Sequence, residues 1–203
     1  MKTDHTIPCR CGEQISLTIT GSQYPLFVPC QSCGRKIVMY PPSGGVVPTL
    51  LMRRASQELA NDDFTLAIVL CAMAVEASMA RMFFLWKSVD HLMDPKCTDA
   101  RPDKSVEELW EKEWREMRSV KKRLNELSRF LTKMDFEAFA TSISFALDNH
   151  EQVFHRRNRI VHYGELNYSR ADGESCVLKA SKLLDLIRAM HEHRDRSFQQ
   201  QPL

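Results

Sequence analysis

Two close pairs of cysteines, Cys9-Arg10-Cys11 and Cys30-Gln31-Ser32-Cys33, stand 18 residues apart near the start of the chain, each followed by a glycine. No other feature restricts the fold as tightly. Thiolates one or two residues apart at a tight turn can face one ion, and a glycine after each pair lets the backbone fold beneath it. A segment of about 45 residues cannot bury much apolar core, so a bound metal is expected to be its main stabiliser. The competing readings are two disulfides, or four unrelated buried cysteines, which the pairing and the glycines disfavour. The N-terminal MKTDHTIPCRC lacks the apolar stretch of a signal peptide, which predicts a reducing, cytoplasmic setting and disfavours disulfides there. One structural Zn²⁺ per chain, held by Cys9, Cys11, Cys30 and Cys33, is the reading, with every coordination position filled by protein. The first pair departs from the usual spacing by having one intervening residue.

Short alternating runs at Gln14–Ile19 and Lys36–Tyr40 read as strands, so residues 1–45 form a small β zinc ribbon. The turn-rich Tyr40-Pro41-Pro42-Ser43-Gly44-Gly45-Val46-Val47-Pro48 ends it and marks a domain boundary. Residues 46–203 then carry a helical period, predicting a mainly α chain with an up-and-down bundle of about five helices. These run over roughly 49–60, 64–89, 105–132, 135–164 and 170–192, and the tail from Ser197 is expected to fray. Asn61-Asp62-Asp63 caps the second helix, and Ser105-Val106-Glu107-Glu108 opens the third with a capping-box pattern. Phe64–Trp86 approaches the length of a membrane span, but Glu76 and Arg81 interrupt it, and a buried central helix with no membrane role is expected. Cys71, Cys97 and Cys176 do not read as ligands.

A net charge of +2 does not by itself impose nucleic-acid binding. Local clusters go further. Residues 115–133 carry seven Lys/Arg against two Glu, and residues 155–170 carry four Arg and two His against Glu165. The second run contains Arg157-Asn158-Arg159-Ile160-Val161-His162. Asn158 and His162, four apart, share a helix face, whereas Arg157 lies about 140° round from His162. The stripe Phe139, Ile143, Ala146, His150, Val153, Arg157, Ile160 places Arg157 toward a core, where a guanidinium needs an anion; Glu76 is the best internal one. A purely structural ion pair pinning two helices is one outcome of that geometry.

This segment resembles the Arg-Asn-x-x-x-His signature of the HEPN superfamily. The likeness extends to Asn61-Asp62-Asp63-Phe64, which opens a helix running through Ala67-Ile68 to Ala74-Val75-Glu76-Ala77. The resemblance implies a homodimer whose two motifs face one cleft and a metal-independent endoribonuclease, a toxin or antiviral defence effector with an antitoxin or defence-system protein as a further partner. On that reading His162 transfers protons, Arg157 holds the phosphate, and Asn158 orients His162 or the phosphate. Glu76, Arg156 and Arg159 support them, Arg156 being an alternative start to the motif. Where some toxin members carry a tyrosine two residues after the histidine, this chain has Gly164. A non-catalytic HEPN module that binds nucleotides, RNA or protein is the alternative. No Gly-x-Ser-x-Gly, His-Glu-x-x-His or phosphate-binding glycine loop is present.

Overall fold

The computed structural model describes residues 2–9, 11–20, 26–34, 36–39, 46–94, 102–147 and 150–200. The expected linker at 40–45, the expected loop around Cys97 and the last three residues lie outside them. Strands β1 (Lys2–Pro8) and β2 (Gln14–Thr20) form one antiparallel hairpin, β3 (Leu26–Pro29) and β4 (Lys36–Met39) a second. Registers from Pro8↔Gln14 and from Pro29↔Lys36 leave the two cysteine pairs in the connecting turns. The hairpins thus bring their own ends, not their strands, to the chemistry.

The rest is helical: α1 (Val46–Ala60), α2 (Phe64–Met93), α3 (Lys104–Glu116), α4 (Val120–Thr132), α5 (Phe136–Ser142), α6 (Glu151–Tyr163) and α7 (Arg170–Gln200). The chain is mainly α behind a small β region, as expected, but two expected helices are each broken in two. Ser119 ends the third by capping α4, its side chain accepting from the Lys122 N–H at 3.1 Å, while Met117 turns into the core. Ser144 at φ 55°, in the left-handed region, stops α5. The stripe drawn through Ile143 and Ala146 therefore does not exist as a helix face, and both residues are exposed. α3 begins at Asp103, which accepts from the Val106 N–H at 3.0 Å, and Ser105 donates to Asp103 instead of capping. With no breaker before Pro202, α7 continues past the expected fraying point to Gln200.

α2 is the axis of the bundle and packs against α1, α3, α4, α6 and α7. Ile68, Cys71, Val75, Met79, Phe83, Trp86 and Val89 are all buried along it, and Leu124, Leu127, Leu131, Phe139, Val153, Leu183, Leu186 and Met190 close the core around them. This is why its sequence is apolar on nearly every side. Phe64–Met93 is long and apolar enough to cross a membrane, yet 61% of its most apolar window is buried inside the bundle. Asp63 caps it as expected, accepting from the Leu66 N–H at 2.9 Å. At the far end of the chain Gly173 seats α7 closely: a Cβ there would come within 2.8 Å of Leu59 Cδ1.

Candidate functional sites

The four cysteines converge. Cys9 and Cys33 sulfurs are 3.6 Å apart, as are those of Cys11 and Cys30, and all four lie within 4.8 Å of one another. A tetrahedral thiolate site with metal–sulfur bonds of about 2.3 Å places its sulfurs about 3.8 Å apart, so the arrangement fits a metal ion. The turns are closed by backbone bonds from Cys9 N–H to Glu13, Gly12 N–H to Cys9 and Gly34 N–H to Cys30. Gly12 (φ 93°) and Gly34 (φ 70°) adopt the left-handed conformations for which each pair's glycine was read. Cys9 and Cys30 are buried, Cys11 and Cys33 exposed. A hydrogen bond from the Cys33 backbone helps pull the Cys30 thiol down to about 7. Against a lowering bond from the Glu13 backbone, the neighbouring Cys9 and Cys30 sulfurs hold Cys11 up at about 12. Cys71 and Cys176 are buried in the helical core, where desolvation raises both thiols.

The second candidate site lies on α6. Gly164 at φ 66° ends the helix, its N–H bonded to the Ile160 carbonyl and the Glu165 N–H to that of Arg159, the C-cap expected of it. The chain beyond the cap is fastened to α2 where Thr65 Oγ1 donates to the Leu166 carbonyl at 3.1 Å. Since Arg157 meets Glu76 and Leu166 meets Thr65, α6 runs antiparallel to α2. Arg157 Nη2 is 3.3 Å from both carboxylate oxygens of Glu76, and Nη1 donates to Asn158 Oδ1 at 2.9 Å. Both partners of the ion pair are about three-quarters buried. Asn158 and His162 are exposed, and His162 makes no hydrogen bond among the described residues.

The neighbouring arginines are committed elsewhere. Arg156 clamps α6 to α7, with Nη2 2.6 Å from Asp172 Oδ1 and Nη1 donating to the Asp172 carbonyl at 3.1 Å and to Cys176 Sγ at 3.5 Å. Its guanidinium is turned to α7, that of Arg157 to α2. Arg159 folds onto Glu165. Sequence reasoning missed Asp172, although Ser169-x-x-Asp172 is a capping pattern: Ser169 N–H and Oγ donate to Asp172 at 3.0 and 2.6 Å.

Three of the seven cations in the basic run at 115–133 are held in ion pairs. Arg115 pairs with Glu111, Lys121 with Glu151 at 3.2 Å and Arg129 with Glu126 and Asp135, while the Arg123 guanidinium lies over Trp114 at 4.9 Å. Arg118, Lys122 and Lys133 have no ion pair among the described residues. No protein family, curated protein or solved structure matches the chain.

Proposed function

We propose that the chain is a HEPN-type endoribonuclease working as a homodimer in the cytoplasm, in a toxin or phage-defence role, with a zinc-stapled ribbon at its N-terminal end. The observation that carries the reading is the exposed end of α6. There Asn158 and His162 stand one turn apart beside an arginine anchored from α2.

RNA carries its own nucleophile, so this constellation suffices without a catalytic metal. The ribose 2′-hydroxyl gives its proton to one imidazole and its oxygen bonds to phosphorus. The bond to the 5′-oxygen breaks, and that oxygen takes a proton from a second imidazole. A 2′,3′-cyclic phosphate and a 5′-hydroxyl result. One chain offers one such histidine in this motif, and a second copy supplies the other. Leu66, Met73 and Val161, 39%, 44% and 56% exposed, support that assembly. Met73 lies one turn before Glu76 and Val161 one turn after Arg157, so the antiparallel pairing puts both on one side of the ion pair, next to His162.

The ribbon's role on this reading is structural, because four thiolates leave zinc no open position. The test is incubation with RNA in EDTA, followed by mass analysis of the ends. Cyclic phosphates support the reading, and cleavage that EDTA abolishes refutes it. The competing reading, a non-catalytic RNA- or protein-binding HEPN module, is favoured by one fact: Arg157 already has two internal partners. It predicts RNA binding that survives His162→Ala with no cleavage in either protein.

A further inference from the structure

The hydrogen bond between Arg157 and Asn158 determines which way the asparagine amide points. A guanidinium has only donors, so the group facing Arg157 Nη1 at 2.9 Å must be the amide oxygen. The Asn158 NH₂ therefore points away from Arg157. It makes no hydrogen bond among the described residues, and the residue is exposed. His162, four positions later, shares its helix face. Two amide donors and one imidazole thus border the same patch of surface, a donor-rich setting for an oxyanion.

Arg157 is placed differently. Its charge is matched by the Glu76 carboxylate, 3.3 Å away through both oxygens, and its two terminal nitrogens are engaged, one with Glu76 and one with Asn158. Ion pair and side-chain bond form a relay: Glu76 on the buried helix fixes Arg157, and Arg157 fixes the amide. We propose that Asn158 and His162 are the residues that touch the RNA phosphate, and that Arg157 is a positioning residue which turns the Asn158 amide toward it. The inference rests on the RNA-cleavage reading and divides the work within that site.

A double-mutant cycle separates this from a direct Arg157 clamp, using the full-length protein and a 2′-O-methyl tetranucleotide that cannot be cut. If Arg157 acts through Asn158, Asn158→Ala and Arg157→Ala each weaken binding by a similar factor, about tenfold, and the double variant loses no more than either. Losses that multiply in the double variant, or binding unchanged by Asn158→Ala, overturn the proposal. Arg157→Lys serves if Arg157→Ala melts far below wild type. A lysine keeps the charge but not the planar fork that spans Glu76 and Asn158, so in the same cycle an Arg157→Lys/Asn158→Ala variant that binds no more weakly than Asn158→Ala supports the relay, and losses that multiply, or full binding by Arg157→Lys, overturn it.

Nitrogen-15 spectra give a second readout. The Asn158 side-chain amide pair, assigned by its absence in Asn158→Ala, shifts as wild type is titrated with the tetranucleotide, and a pair that stays in place through saturation overturns the proposal. Wild type that neither binds the tetranucleotide nor cleaves all-ribose RNA brings down the RNA reading and this inference with it. Wild type that cleaves while the single losses multiply brings down the inference alone.

Discussion

Arg157 on α6 and Glu76 on α2 are 81 positions apart in the chain and meet through an ion pair at 3.3 Å, each about three-quarters buried. Removing one side leaves the other's charge poorly solvated. Arg157→Ala should therefore lower stability by about 1–3 kcal/mol, with Glu76→Gln, which keeps an acceptor, losing less. Urea unfolding followed by circular dichroism measures both. An Arg157→Ala midpoint equal to wild type at unchanged slope would show that the pair does not hold α6.

The catalytic reading makes a separate demand. His162 is exposed and lies outside that contact, so His162→Ala should leave the midpoint unchanged while slowing RNA cleavage by about 10²–10⁴-fold. Parallel melts and single-turnover assays decide it. Equal rates in mutant and wild type remove His162 from the mechanism.

Dimerisation should depend on the exposed apolar positions beside the motif. Met73→Glu is expected to shift the protein to monomer in light scattering at tens of micromolar, and to abolish cleavage without changing helical content. A monomeric wild type that cleaves RNA at a rate proportional to its concentration rules out the shared site.

The four-cysteine cluster should take one metal ion per chain, seen as a mass increment under native conditions and lost in Cys30→Ser/Cys33→Ser. Because the helical core contains none of the four ligands, the 222 nm signal should survive in that variant. Collapse of the helices on metal loss would show the two parts to be energetically coupled.

Acid should destabilise the bundle through His191. Its Nδ1 accepts a hydrogen bond from Trp86 Nε1 at 3.0 Å, and burial pushes its pKa below the ordinary histidine value; Asp195 and Glu192 oppose that shift, and Arg81 reinforces it. The folded state thus binds this proton less readily than the unfolded chain does. The contribution is complete above about pH 6.5 and is lost as pH falls from there toward the depressed folded value. Urea midpoints measured from pH 7.5 downward should fall more steeply for wild type than for His191→Gln.

What the residues determined alone was whatever depends on neighbours in sequence. Cysteine pairs with their glycines define two turns, Asp63 caps its helix, Gly164 ends α6, and an all-round apolar α2 has to lie at the centre of a bundle. Each of these is settled within a few positions by backbone geometry or hydrophobic period. That locality also explains the errors: a period of apolar residues continues past Ile143, where the backbone over 143–147, with Ser144 at positive φ, does not follow it as a helix. Tertiary structure alone decided what each of the two adjacent arginines is anchored to. Arg156 and Arg157 are adjacent, and the Asn158 that follows favours Arg157 as the start of the motif in sequence; the about 100° between neighbouring helix positions sends Arg156 to Asp172 on α7 and Arg157 to Glu76 on α2. It also decided that Lys121 is matched by Glu151, 30 positions further along the chain, because the two became neighbours only when the helices packed.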